Sequence, residues 1–231
     1  MTDALPAAVL WDMDGTLVDT EPYWMRAETE LVSSFGGIWT HDDGLALVGS
    51  GLWASARVFQ SRGVALSEDE IVARLTDRVQ QQLAENGVPW RAGARELLLE
   101  LREASVPTAL VTMSVRRMAE QIAEQIPFDA FDVLVTGDEV ENAKPHPDPY
   151  LTAARLLEVD PAECIAIEDS LNGLASAVAA GTVAIGVPHM IPLPTGDEHT
   201  VWPTLQGRTR ADLIEVLRIA MAERAAQEST R

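Results

Sequence analysis

Lysine is almost missing from this 231-residue chain: Lys144 is the one lysine among 17 basic residues, and the rest are arginines. Cysteine is as scarce. Cys164 stands alone, which excludes a disulfide framework and fits a reducing, cytoplasmic setting. Positive charge is short as well, since 36 acidic against 17 basic residues leave a formal net charge of −19. A chain so acidic attracts neither nucleic-acid phosphates nor an anionic membrane surface. If its ligand is an anion, a local cation must do the attracting. No apolar run approaches the ~18 residues of a membrane span. Met1 to Pro6 show no basic segment followed by an apolar one, so neither a signal peptide nor a membrane span is expected.

What is present is the composition of a globular chain, 47% apolar and 23% charged. Its length suits one sizeable domain, or a core carrying a smaller one. Ala7 to Trp11 read as a buried strand. Helical spacing then predicts helices over Pro22 to Phe35, Trp53 to Phe59 and Ser67 to Ala84, with no strand signal between Thr20 and Trp90. From Gly93 helices and strands alternate. Helices are expected at Ala94 to Ala104, Arg117 to Gln125, Pro149 to Leu157, Leu171 to Ala180 and Ala211 to Ala226. Strands are expected at Pro107 to Val111, Val133 to Thr136, Cys164 to Ile167 and Val183 to Val187. Such βα units build a parallel sheet covered on both faces, with ligands collecting beyond the carboxyl ends of the strands. Pro188 to Arg208 read as an irregular loop.

The first strand runs into Asp12-Met13-Asp14-Gly15-Thr16. On an extended chain, two acids two residues apart point the same way, and like charges held that close call for a divalent cation that prefers oxygen, Mg²⁺ in most cells. Asp-Gly is also ordinary turn chemistry. The strand at Pro107 to Val111 ends in Thr112-Met113-Ser114, whose hydroxyls serve either an anion or the cap of the next helix. Cys164 to Ile167 end in Glu168-Asp169-Ser170, acids that suit a metal, a solvated loop or a helix N-cap. Beside Asp12 and Asp14, Asp169 becomes the third metal ligand. Lys144 lies in Lys144-Pro145-His146-Pro147-Asp148-Pro149, a stiff loop. A composition that otherwise supplies arginine implies that this position needs the compact charge of an ammonium. His41, His146, His189 and His199 read as loop or surface residues, and Trp11 as core. Trp24, Trp39, Trp53 and Trp90 would pack the helical insert or line its inner face.

These four stretches, in this order, resemble the four motifs of the haloacid dehalogenase superfamily, and the resemblance spans nearly the whole chain. Asp19-Thr20-Glu21-Pro22-Tyr23-Trp24 and the Lys144 loop most resemble its sugar-phosphatase and β-phosphoglucomutase-like branch. The resemblance implies an α/β, Rossmann-like, doubly wound parallel sheet with an inserted all-α cap. Residues 1–19 and 92–231 would form the core and residues 20–91 the cap. It also implies a Mg²⁺-dependent phosphatase acting through a phosphoaspartate, and it distributes the roles. Asp12 would be nucleophile and metal ligand, Asp14 the acid/base that also offers a backbone carbonyl to the metal, and Asp169 a further ligand supported by Glu168. Thr112 and Ser114 would hold the phosphate, and Lys144 would steady nucleophile and phosphoryl charge. The expected partner is a small phosphorylated metabolite, taken up by a monomer or weak dimer.

Alternatives are a phosphomutase, a dehalogenase, a phosphonate hydrolase and a non-catalytic phosphate-binding protein. Trp24 and Val115 replace a histidine and a lysine of the mutase pattern, and a second acid after the nucleophile suits a leaving alkoxide rather than a halide. Residues 17–91 contain no lysine for a Schiff base. The retained Asp12, Asp14, Lys144 and Asp169 favour catalysis. Val48-Gly49-Ser50-Gly51 and Arg116-Arg117 are expected near the leaving group.

Overall fold

A computed structural model describes residues 5–228. β1 (Ala8–Trp11) is wholly buried and leads through a tight turn into four helices. α1 (Glu21–Ser34) starts with Pro22 in its first turn. α2 (His41–Leu45) is a short helix that the sequence reading omits, capped reciprocally by Thr40 and Asp43. Its signal was a capping box with aspartate where glutamate or glutamine is usual. α3 (Leu52–Ser61) follows, and α4 (Glu68–Asn86) opens on the Ser67–Glu70 capping box. The chain then alternates: α5 (Ala94–Glu103), β2 (Thr108–Val111), α6 (Arg116–Ala123), β3 (Val133–Val135), α7 (Asp148–Leu156), β4 (Cys164–Glu168), α8 (Leu171–Ala179), β5 (Val183–Gly186), β6 (His199–Val201) and α9 (Arg210–Glu228).

All strand pairings are parallel, in the order β3-β2-β1-β4-β5-β6. β6 corrects the reading of 188–208 as wholly irregular: its sequence His199-Thr200-Val201 lacks the apolar run that marks the equally short edge strand β3. The order reverses at β1, which pairs with β2 on one side and β4 on the other. That switch point is where an open α/β sheet receives its ligand. Successive residues of β1 feed opposite faces. Val9 and Trp11 join a core with Leu97, Leu101, Met118, Ile122 and Leu213, whereas Ala8 and Leu10 join one with Tyr150, Ala153, Leu174 and Ala177. The first core continues without a break through Met13, Leu17 and Trp24 into Leu31, Phe59, Ile71 and Leu75 of the insert. No helix of the described residues is long and apolar enough to cross a membrane.

The insert is tied to the sheet domain by two chain segments that pair with each other. Val18 bridges Trp90, the Asp19 amide donates to Pro89 O at 2.7 Å, and the Arg91 amide donates to Leu17 O at 3.0 Å. Asp19 also meets His189 Nε2 at 2.7 Å, a partner that the sequence reading, which left His189 at the surface, did not supply.

Candidate active site

The ladders that build the sheet carry on past its strands. The Asp12 amide donates to Ile167 O and the Thr112 amide to Val135 O. Asp12, Thr112 and Asp169 are thereby delivered to the same edge, and Lys144 reaches it from the loop before α7. Its Nζ lies 2.8 Å from Asp12 Oδ1, 2.6 Å from Glu168 Oε1 and 2.8 Å from Val111 O. All three ammonium protons therefore have acceptors. Tyr150 donates its hydroxyl to Glu168 Oε1 at 2.6 Å, and its ring packs 5.0 Å from the ammonium. The Lys144–Pro145 peptide is cis.

This is an ammonium with 5% of its surface exposed, between two buried carboxylates. Burial alone works against its charge, but Asp12 and Glu168 outweigh that and hold its pKa above the ordinary lysine range. Burial, with Glu168 adding to it and Lys144 opposing it, lifts Asp12 to about 7. Burial lifts Asp169 well above the usual carboxylate range, with Asp12 and Glu168 adding to the effect. One ammonium among three buried acids is thus too little to keep all of them ionised at once.

One ligand oxygen from each of Asp12, Glu168 and Asp169 lies within 4.8 Å of the others. Glu168 already serves Lys144 and Tyr150. Asp12 Oδ2 and Asp169 Oδ2, by contrast, are buried and have no hydrogen-bond partner among the described residues. A hard divalent cation satisfies two such oxygens together and offsets their repulsion, so the residues present fit the expected metal. Gly15, at φ +87°, leaves room for this arrangement, because a Cβ there would overlap the Asp169 carboxylate.

Asp14 lies differently from what the extended-chain argument predicts. Its carboxylate is not among the clustered oxygens. It accepts from Thr20 Oγ1 and from Trp24 Nε1 at 3.0 Å on one oxygen, and from Ser114 Oγ at 2.7 Å and Thr112 Oγ1 at 3.3 Å on the other. The strand ends at Trp11 and the chain turns, with the Gly15 amide donating to Val18 O, so strand alternation no longer governs where Asp14 points.

A cavity runs from these strand ends into the insert. Of the four residues Val48 to Gly51 expected near a leaving group, Val48, Gly49 and Ser50 line it, while Gly51 does not and lies against Ala143. Asn172 Nδ2 donates to Gly49 O at 3.1 Å, and Gly49 packs so tightly that a Cβ on it would overlap Ser170. Arg116 and Arg117 do not line the cavity. Arg116 pairs with Glu139 and Glu120, and Arg117 with Asp77, Gln80 and Ala73 O across the face of α4. Trp24 lines it, whereas Trp39 donates to Glu28, Trp53 to Asp69, and Trp90 lies under Arg95. Sequence reasoning missed Glu21 and Glu28, buried acids that also line the cavity. Their signal was available: both fall on the face of α1 that carries Trp24 and Leu31, where a buried acid is out of place.

A family model for haloacid dehalogenase-like hydrolases matches residues 6–181. Hexitol phosphatase B of Escherichia coli (strain K12) is 33% identical over 189 residues, covering 78% of this chain and 83% of that protein. The structure of a CbbY variant from Rhodobacter sphaeroides in complex with xylulose-(1,5)bisphosphate aligns with a TM-score of 0.79 at 28% identity, over 88% of this chain and 96% of that one. The β-phosphoglucomutase of Clostridium difficile aligns with a TM-score of 0.81 over 94% of this chain and 100% of that one. At 21% identity this last is a likeness of fold.

Proposed function

Because the chain belongs to the haloacid dehalogenase-like hydrolases, we propose that it is a Mg²⁺-dependent phosphatase that hydrolyses a sugar or polyol monophosphate through a phosphoaspartate on Asp12. Its kinship with named phosphatases supports the hydrolytic reading. The observation that carries the mechanism is the Lys144 ammonium held between Asp12 and Glu168 beside two partnerless buried oxygens.

An Asp12 oxygen attacks phosphorus as the bond to the leaving oxygen breaks, and Asp14 supplies the proton which that oxygen needs. Water then gives a proton back to Asp14 and attacks the same phosphorus, releasing phosphate and restoring Asp12. Lys144 holds Asp12 in place and offsets phosphoryl charge, while Thr112 and Ser114 donate to the phosphoryl oxygens. Asp12, Asp169 and the Asp14 carbonyl would hold Mg²⁺, which when bound neutralises phosphate charge next to a carboxylate nucleophile. The helical insert, residues 20–91, acts as a cap that keeps bulk water from the intermediate.

A phosphomutase has to bind a bisphosphate, and in this cavity Lys144 is the one cationic lining residue among the described residues, already shared by three acceptors. That favours hydrolysis of a monophosphate. The test is phosphate release from p-nitrophenyl phosphate and from a panel of sugar and polyol phosphates, with a phosphoryl-transfer assay alongside. Release that needs Mg²⁺ and disappears in Asp12→Asn is expected, and a turning-over Asp12→Asn protein overturns the assignment.

A further inference from the structure

The cavity wall that faces Asp12 from the insert is acidic. Glu21 and Glu28 stand seven residues apart on α1, two helical turns, so both project from one face. Glu21 is 9% exposed, lines the cavity, and has no hydrogen-bond donor among the described residues. Glu28, 8% exposed, accepts from Trp39 Nε1 at 3.0 Å on Oε2, while no donor among the described residues reaches its other oxygen. The Ser55 hydroxyl opens into the same space, and Leu47, Phe59 and Leu75 complete it.

These side chains are nine-tenths buried, yet the oxygens that no protein donor reaches are open to the cavity, so their hydrogen bonds come from water or from a ligand that supplies donors. The two carboxylates face the place where a leaving group must lie, with no cation between them among the described residues, and define what that group can be. Hydroxyls satisfy them, whereas a second phosphate or a carboxylate meets like charge in a poorly solvated space. We propose that Glu21 and Glu28 form the leaving-group subsite, and that Glu28 is the specificity-determining residue, accepting hydroxyls of an uncharged polyol chain and rejecting a second anionic group. The apolar side chains opposite pack against the carbon backbone of that chain. This inference rests on the phosphatase reading only in taking the far end of the cavity as the leaving-group side.

Glu28 is pushed up to about 7 and Glu21 to about 8, by burial first and, for Glu21, by Asp14. A comparison at pH 8 therefore keeps Glu28 ionised. The experiment compares glucitol 6-phosphate with 6-phosphogluconate, which differ only in a terminal hydroxymethyl or carboxylate, by calorimetric binding to the Asp12→Asn protein. That protein binds without turning over. Glucitol 6-phosphate is expected to bind at least about ten-fold tighter, a difference of about 1.4 kcal/mol. In Asp12→Asn/Glu28→Gln, whose amide still accepts from Trp39, the preference falls to within about three-fold. Equal or inverted preference in the single variant overturns the inference, as does a ratio that Glu28→Gln leaves unchanged. Wild-type turnover of p-nitrophenyl phosphate is followed separately. If that is absent while the binding preference holds, the phosphatase reading fails and the subsite stands.

Discussion

The Ser114 hydroxyl donates to Asp14 Oδ2 across 2.7 Å, joining residues one hundred positions apart. Ser114 and Thr112 are the hydroxyls expected to bind an anion, and in this structure the Asp14 carboxylate takes the anion's place. In the proposed mechanism an arriving phosphoryl group would compete for these donors and release Asp14 toward the leaving oxygen. Ser114→Ala should lower kcat/KM for small phosphate esters about 10- to 100-fold, since a hydrogen bond to a charged group contributes about 1.5–3 kcal/mol. Steady-state kinetics checks this, and a change below two-fold would remove Ser114 from phosphate handling.

Asp12→Asn should reduce turnover by about four orders of magnitude or more, as loss of a nucleophile does. The metal-free variant should melt no lower than wild type, because one of three crowded carboxylates becomes neutral. Circular dichroism melts recorded next to the assay separate lost chemistry from lost structure.

Lys144→Met leaves Asp12 and Glu168 buried without their cation and should destabilise the fold by about 3–5 kcal/mol. Adding Glu168→Gln should recover part of that loss, since the two residues are in direct contact. Lys144→Arg should not restore activity, because a planar guanidinium cannot replace a compact ammonium shared by three acceptors. Urea titrations of the single and double variants give the coupling.

Stability and metal affinity should depend on pH together. Asp12 and Glu28 are lifted to about 7 and Glu21 to about 8, burial being the main cause in each. Carboxyls raised on folding take up protons on folding, so their contribution favours the fold at low pH and is lost as pH rises from about 4 to about 8. Chelated protein should melt lower at pH 8.5 than at pH 5.5. Mg²⁺ at a hundred times its Kd stabilises by about 3 kcal/mol, or about 5–10 °C for a chain of this size. At one fixed Mg²⁺ concentration the gain should be larger at pH 8.5, where the acids are already ionised and the Kd is lower, than at pH 5.5, and calorimetry at both pH values would reveal the opposite order if the sign were wrong.

Much of the fold was legible because it is written in local periods. Each βα unit from Gly93 onward has the apolar run of a buried strand followed by helical spacing, and the structure keeps those elements to within a few residues. β6 escaped because His199-Thr200-Val201 lacks the apolar run of β3, and α2 because its five residues, His41-Asp42-Asp43-Gly44-Leu45, show no apolar stripe at helical spacing. The residues brought together at the strand ends were also legible, since Asp12, Thr112, Lys144 and Asp169 each follow or approach a strand terminus.

The chain alone therefore determined the strand order's raw material, the scarcity that singles out Lys144, and the acids and hydroxyls that the sheet presents. Tertiary structure decided where side chains point once the backbone leaves regular structure. It turned Asp14 toward Ser114 rather than beside Asp12, sent Arg116 and Arg117 to Glu139 and α4, paired His189 with Asp19, and aimed Glu21 and Glu28 into the cavity. Such orientations depend on partners up to 170 residues away, and no local period carries information over that distance.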